Sequence, residues 1–399
     1  MRIHCLMKIA LVNHNFSLSH GGLERFSVNL ALALHRAGHD VHAVGMTAAD
    51  IPPEIDTHTI SIPRKPSWRR IHGFHSQATR SIQGKGFDIV FGLTRFFPMD
   101  VYRMGDGVQK HWMRISYPLA PWRWLNYLFN PAHLLNVFFE KKILSATGSK
   151  RIITNSHLCR QHAQDYYGVS ADRISVVYNG VDHRLFNPEK VSAIRDEVRR
   201  TLGLNSDDIA VLHVSNNWRR KGLDVTLKAI GRLGEHGKRV HLLVVGRGRP
   251  AAFPTLVRKL GLEARVHFVG QTDKVERYYA AGDLLVLPTL YDPFSNVCLE
   301  AMACGLPVIT TSANGAAEIV EEGESGFVQK DPRSFDELAG LMRRSLEPGM
   351  LRRMGEAAQR ISLGFTPLKN MEQTLAVFEE IVGSKEVRMP SHDAIKESD

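Results

Sequence analysis

Short apolar runs alternate with longer stretches in which apolar residues recur three and four positions apart, and this alternation fills most of the chain. The short runs include Met7–Asn13, Asp40–Val44, Phe87–Phe91, Arg151–Ser156, Asp208–Ser215, His241–Gly246, Arg265–Gly270, Asp283–Leu287 and Val308–Thr311. Most are apolar throughout rather than at every second position, the pattern of parallel strands covered by helices on both faces. The longer stretches predict helices from Gly22 to about His35, after Asn155-Ser156, up to Arg200, through Lys259 and Ala281, over 333–347 and 350–361, and over Pro367–Val382. Gly315–Val328 reads as a helix and turn. Asn187-Pro188 and the charged stretch after it separate two such series. The fold class expected is therefore α/β, with two Rossmann-like domains, 1–188 and 189–365.

Composition narrows this picture. The chain has 399 residues, 43% hydrophobic and 23% charged, which are globular values. Its four cysteines, Cys5, Cys159, Cys298 and Cys304, lack the spacing of a disulfide framework or a zinc site and fit reduced thiols in a cytoplasm. No apolar run approaches the ~20 residues of a spanning helix, and the start is too short for a signal peptide. Met7 is an alternative start, because the first strand opens there. The net charge of +10 calls for an anionic partner.

The stretch Leu287–Thr310 carries the most specific chemistry. It reads strand, loop, helix, turn, strand. Pro288 and Pro293 frame the loop, Ser295 or Asn296 caps the helix, and Gly305 and Pro307 end it. Asp292 on the loop and Glu300 about one turn into the helix flank the helix N-terminus, whose N–H groups and partial positive charge suit a phosphate. An anion held there, with a carboxylate on either side for hydroxyls, is a plan for a nucleotide sugar.

Three further places lie at strand ends. Gly21-Gly22 ends a long loop after the first strand and lets a ligand approach the backbone, though the segment is not GxGxxG. Asp106 stands between two glycines just past a strand, either as a plain turn or exposed at the carboxyl edge of the sheet. Arg219-Arg220-Lys221-Gly222 heads a helix and can put two or three cations on a diphosphate. Gly246 and Gln271 end two more strands on the same edge.

The Asp292-Pro-Phe-Ser-Asn-Val-Cys-Leu-Glu300 stretch, with Glu300-Ala-Met-Ala-Cys-Gly-Leu-Pro-Val-Ile309 after it, resembles the acid-x7-acid signature of the retaining glycosyltransferases of family 4. Arg220-Lys221-Gly222 and the Asp100-Val-Tyr-Arg-Met-Gly-Asp106 segment resemble the lipopolysaccharide core glucosyltransferases of that family. The resemblance spans roughly 7–382 and implies the GT-B fold, two Rossmann-like domains facing a cleft. It implies that 366–383 forms a helix crossing back to the first domain; 384–399 reads as a loose tail. It also implies roles. Glu300 binds the nucleotide ribose, and Asp292, where the family usually has Glu, binds the donor sugar. Phe294, Ser295, Asn296, Val297, Gly246 and Gln271 line the donor site with Gly21 and Gly22. Arg220 and Lys221 neutralise the leaving diphosphate, and Asp106 orients or deprotonates the acceptor hydroxyl. The donor expected is UDP-glucose as co-substrate, with no cofactor and no metal. The acceptor is a glycan or glycolipid such as lipopolysaccharide core. No residue stands out as a covalent nucleophile, so a front-face displacement is expected. A sugar-nucleotide epimerase shares the fold but needs no acceptor surface. A non-catalytic nucleic-acid or membrane-binding protein would not account for Asp292, Glu300 and Arg220-Lys221-Gly222 together.

Residues 109–142 mix Lys110, Trp112, Arg114, Tyr117, Trp122, Arg123, Trp124, Tyr127, Phe129, Phe138, Phe139, Lys141 and Lys142. Such a mixture suits the headgroup layer of an anionic membrane, a buried helix pair with surface cations, or the bases of a single strand. The partner expected is an anionic membrane surface, with no nucleic acid, which places the enzyme on the inner face of the cytoplasmic membrane.

Overall fold

The computed structural model describes residues 6–18, 22–62, 66–248 and 250–386. The chain forms two compact units. The first takes residues up to Asn155, then Cys159–Val177 and the chain from Leu368; the second takes Ser156–Leu158 and Tyr178–Pro367.

The first unit contains β1 (Lys8–Val12), α1 (Gly22–Arg36), β2 (Asp40–Gly45), β3 (Asp56–Thr59), α2 (Ser67–Ile82), β4 (Ile89–Gly92) and β5 (Val101–Met104). Three helices follow, α3 (Gln109–Ser116), α4 (Ala120–Phe129) and α5 (Pro131–Leu144), and then β6 (Arg151–Thr154), α6 (His157–Tyr167) and β7 (Ile174–Val176). The seven strands pair in the order β3-β2-β1-β4-β5-β6-β7, all parallel. The central strands β1, β4, β5 and β6 are buried on both faces, which is why they read as mostly apolar runs. Phe74, Phe139 and Ile143 cover one face with residues of β5 and β6, and Val28, Leu34 and Ile381 cover the other.

The second unit contains α7 (Pro188–Thr201), β8 (Ile209–Val214), α8 (Leu223–Gly231), β9 (Val240–Val245), α9 (Pro254–Lys259), β10 (Val266–Gly270) and α10 (Glu276–Ala281). It continues with β11 (Leu284–Leu287), α11 (Asn296–Ala303), β12 (Val308–Thr311), β13 (Gly326–Gln329), α12 (Phe335–Ser345) and α13 (Met350–Ser362). Its six strands pair in the order β10-β9-β8-β11-β12-β13, again all parallel. The last helix, α14 (Pro367–Glu386), belongs from Leu368 to the first unit, where Phe378 meets Phe91 at 5.2 Å between ring centroids.

Strand order reverses between β1 and β4 in the first sheet and between β8 and β11 in the second. Loops at the carboxyl ends of the strands diverge at such points and open a crevice for ligands. The structure departs from the sequence pattern in three places. The stretch 315–328 is a single 3-10 turn, Gly315–Ile319, followed by edge strand β13, so most of it is not helical. Strand β3 is Asp-Thr-His-Thr, a polar edge with no apolar run to reveal it. Residues 109–142 form three helices rather than a pair. The expected tail lies from residue 387 outside the described residues.

Candidate functional site

The loops at the β8–β11 switch point gather most of the residues picked from sequence. Chain reversal after β8 is tight. Gly222 adopts φ 77°, and a Cβ there would lie 2.2 Å from the Pro288 carbonyl oxygen. Only glycine lets the segment before α8 pack on the loop after β11. The Leu290 N–H then donates to the Arg220 carbonyl at 2.9 Å. The two loops are thereby joined, and the side chains of Arg220 and Lys221 meet Asp292.

Lys221 is 7% exposed and Asp292 also 7%. The Lys221 ammonium donates to Asp292 Oδ2 and, at 2.6 Å, to Ser295 Oγ. Arg220 Nη2 lies 3.8 Å from the same carboxylate oxygen, and its Nη1 donates to the Tyr291 carbonyl at 3.2 Å. The Phe294 N–H donates to Asp292 Oδ1 at 3.1 Å. Burial alone would raise the Asp292 pKa. The charges of Lys221 and then Arg220, with hydrogen bonds from Lys221 and Ser295, outweigh it and hold the carboxyl below its usual value. Two cations and one carboxylate leave a positive charge in surplus at the head of α11, where the helix dipole adds to it.

The head of α11 is itself braced. Ser295 precedes its first turn, and the Ser295 N–H donates to Asn314 Oδ1 at 3.1 Å. Asn314 in turn donates to Thr310 Oγ1 at 2.9 Å. Asn296 Oδ1 accepts from Asn179 Nδ2 at 2.6 Å. Glu300, one turn further along, accepts at Oε2 from the Tyr279 hydroxyl at 2.8 Å. Val297 packs on the core, and the Phe294 ring is buried within it at 5.9 Å from Tyr178. The phenyl group therefore contributes packing, and the residue's N–H contributes the bond to Asp292.

Gly246 and Gln271 lie at the ends of β9 and β10, on the same edge. Gly246 has φ 108°, and a Cβ there would stand 2.2 Å from the Ser215 carbonyl oxygen. Gln271 Oε1 accepts from Arg247 at 3.2 Å and 2.9 Å. Arg247 is exposed beside these residues and is one residue that the sequence reading overlooked; an Arg directly after a strand-ending glycine was the available signal. Asn314 and Tyr279 were also overlooked, because each acts through a contact distant in sequence. His213 on β8, fully buried behind Lys221, has its pKa lowered to about 3 by burial and then by the Lys221 charge.

Asp106 belongs to the first unit. It follows β5, between Gly105 and Gly107, with its side chain 61% exposed. Arg95, in the loop after β4, approaches its Oδ2 at 4.0 Å and donates to the Gly107 carbonyl at 3.0 Å. Arg95 is anchored by buried Glu140, which also accepts from the Gln109 N–H at 3.0 Å and from the Tyr167 hydroxyl at 2.5 Å. The loop is thus pinned from below while its carboxylate faces solvent. Gly22 is the first residue of α1, and Gly21 lies outside the described residues. Among the described residues no group of three or more His, Cys, Asp or Glu is gathered for a metal.

Two parallel sheets of this kind, each with crossover helices, are the architecture of the GT-B class of transferases, which a sugar-nucleotide epimerase shares. The model of glycosyltransferase family 4 matches residues 20–185, and that of glycosyl transferases group 1 matches 208–347. The lipopolysaccharide glucosyltransferase WaaG of Escherichia coli K12 is 25% identical over 334 residues, 83% of this chain and 88% of that protein. A D-inositol 3-phosphate glycosyltransferase of Thermomonospora curvata is 30% identical over 244 residues, 58% of this chain and 56% of that protein, so the match spans little more than half of that relative. In structure, WaaG superposes with a TM-score of 0.81 at 22% identity, over 93% of this chain and 99% of that one. Anabaena HepE, solved with UDP-glucose, gives 0.69 at 23% identity over 95% and 100%. The chain thus carries a glycosyltransferase family 4 domain followed by a glycosyl transferases group 1 domain, and it has the GT-B fold.

Proposed function

We propose that the protein is a retaining, metal-independent glucosyltransferase that moves glucose from UDP-glucose to a hydroxyl of a lipopolysaccharide core glycolipid. The observation that carries the donor side is the buried Lys221–Asp292–Ser295 cluster, with Arg220 beside it at the head of α11. A surplus positive charge on a helix N-terminus suits a diphosphate. In this reading Glu300 binds ribose and Asp292 the sugar hydroxyls. HepE, solved with UDP-glucose, and WaaG, named a glucosyltransferase, support the choice of donor. In the front-face step the acceptor oxygen bonds to the sugar's C1 as the bond from C1 to the β-phosphate oxygen breaks. That oxygen takes the acceptor proton, and UDP leaves. Arg220 and Lys221 balance its charge, and Asp106 orients the acceptor.

The test is a thermal-shift panel of UDP, GDP and ADP followed by transfer assays. A nucleotide at ~100 times its dissociation constant adds roughly 2.7 kcal/mol of stability. UDP alone is expected to do so. A shift with GDP or ADP instead would replace the donor, and none with all three would remove the donor site. Transfer is expected to persist in excess chelator. Loss that Mg²⁺ or Mn²⁺ restores would overturn the metal-independent step.

The acceptor's lipid calls for a membrane surface. Helix α4 has none of its described side chains buried, and Trp122 (59%), Trp124 (70%) and Phe129 (80%) are exposed on it. Leu134 and Phe138 on α5 are exposed next to it, while Lys110 is turned inward over the Tyr167 ring at 4.3 Å. Helix α2 joins the same patch. His75 meets Phe139 of α5 at 4.7 Å, and one turn on Thr79 donates to the carbonyl of Phe97, whose ring lies under Lys142. The two helices therefore run alongside in one direction. Trp68, two turns before His75 on α2, is 41% exposed with Arg69 over its ring.

A further inference from the structure

We infer that Tyr279 is a positioning residue for Glu300, holding its carboxylate in the one orientation that meets the nucleotide ribose. The inference rests on the ribose reading of Glu300 and adds to it a residue from another helix. Tyr279 is 0% exposed on α10, and its ring meets Phe186 edge-on at 5.8 Å. Its hydroxyl is 2.8 Å from Glu300 Oε2 and 3.4 Å from the Val297 carbonyl. A tyrosine hydroxyl has one proton, and the shorter, charge-assisted bond takes it.

The rigidity matters because a glutamate has three rotatable side-chain bonds. On the first turns of a helix it can swing its carboxylate along the helix or away from it. A hydroxyl on a fully buried ring cannot follow. With Oε2 held at 2.8 Å, the carboxylate plane is set before any nucleotide arrives. Burial, and then the Glu300 charge, push the Tyr279 pKa well above its usual value, so the phenol keeps its proton and remains the donor. The Cys304 thiol is likewise raised by burial and then by the Glu300 charge. The Tyr279 hydroxyl acts on the site through Glu300. Its effect should fall on ribose recognition alone.

That restriction makes the inference testable against a plain packing role. The nucleoside diphosphate that binds tightest among UDP, GDP and ADP is titrated calorimetrically beside its 2′,3′-dideoxy form. The proteins are wild type, Tyr279→Phe and Glu300→Ala. In wild type the ribose form is expected to bind about 10–100-fold more tightly, the worth of a hydrogen bond to a charged group. In Tyr279→Phe that preference should shrink to within about threefold of unity, with the dideoxy form bound as in wild type and donor KM raised more than kcat falls. Both ligands are measured on one protein, so the ratio does not depend on the fraction folded. An unchanged ratio in Tyr279→Phe, or an equal loss for both ligands, overturns the positioning role. A wild-type ratio in Glu300→Ala overturns the ribose reading itself. Binding of none of the three nucleotides overturns both.

Discussion

Lys221 and Asp292 are counter-ions to each other as well as candidate ligands, and this sets what their substitution does. Removing Lys221 leaves the buried Asp292 carboxylate with Arg220, 3.8 Å away, as its remaining counter-ion, so the cost is part of the about 3–5 kcal/mol typical of breaking a buried pair. On the proposed function it also removes a contact to the leaving diphosphate, for which a loss of about 10²–10³ in turnover is typical. Lys221→Ala is therefore expected to be both unstable and inactive. In Lys221→Met with Asp292→Asn the buried charges go together, so most of the stability should return while transfer stays lost. Urea denaturation and turnover separate the two, and a stable, active Lys221→Ala would dissolve the pair. His213 gives a pH signature. Its folded pKa of about 3 lies below the unfolded value near 6.5. Between those values the unfolded chain binds the extra proton, so stability rises with pH across this window and falls by about 1.4 kcal/mol per pH unit on acidification. Chemical denaturation at pH 7, 6 and 5 should show a shallower fall for His213→Leu. Parallel curves would mean that His213 is protonated in the fold.

Among the elements, the turn before α8 is the most exacting. Gly222 and Gly203 both have positive φ, 77° and 70°, but a Cβ at Gly203 meets nothing within 4 Å. Gly203→Ala should cost the left-handed conformation alone, about 1–2 kcal/mol. Gly222→Ala adds the collision with the Pro288 carbonyl, so it should destabilise more and weaken nucleotide binding by shifting Arg220 and Lys221. Equal stability and binding for the two variants would show that the turn relaxes freely. The doubly wound elements were legible because strands buried on both faces are apolar at every position. The loops before α8 and α11 were legible because a glycine, a cation pair and a helix cap lie close together in sequence. Strand β3 and the turn at 315–319 were not, since an edge strand and a 3-10 turn need no apolar period. Tyr279 and Asn314 were not, because their bonds to Glu300 and Ser295 span 21 and 19 residues. Pairing of Lys221 with Asp292 was hidden for the same reason, and each was read as a ligand alone.

Over the whole molecule the charge is unevenly spread. Residues 57–164 hold 16 Lys and Arg against four acids, Asp88, Asp100, Asp106 and Glu140, so this stretch alone exceeds the net +10 of the chain. One of those acids, Glu140, is buried against Arg95 and offsets nothing at the surface. The exposed cations Arg69, Arg70 and Arg80 lie on α2 with Trp68, and Arg114 on α3 and Lys141 and Lys142 on α5 lie on the helices that flank α4, which carries Trp122, Trp124 and Phe129. No described helix is long and apolar enough to cross a membrane, so attachment through these helices would be peripheral. Each cation reaching an anionic surface adds about 1 kcal/mol, and the rings add apolar burial in the headgroup layer. Binding to liposomes should rise with the anionic lipid fraction and fall with salt, since exposed charges are screened over about 8–10 Å at physiological ionic strength. Co-sedimentation separates the two contributions. A variant with the six cations changed to Gln should lose the dependence on lipid charge, and Trp122→Ser with Trp124→Ser should keep that dependence while binding more weakly. Equal binding of wild type and the Gln variant at low salt would move the contact elsewhere, and a soluble glycan would then be the better acceptor.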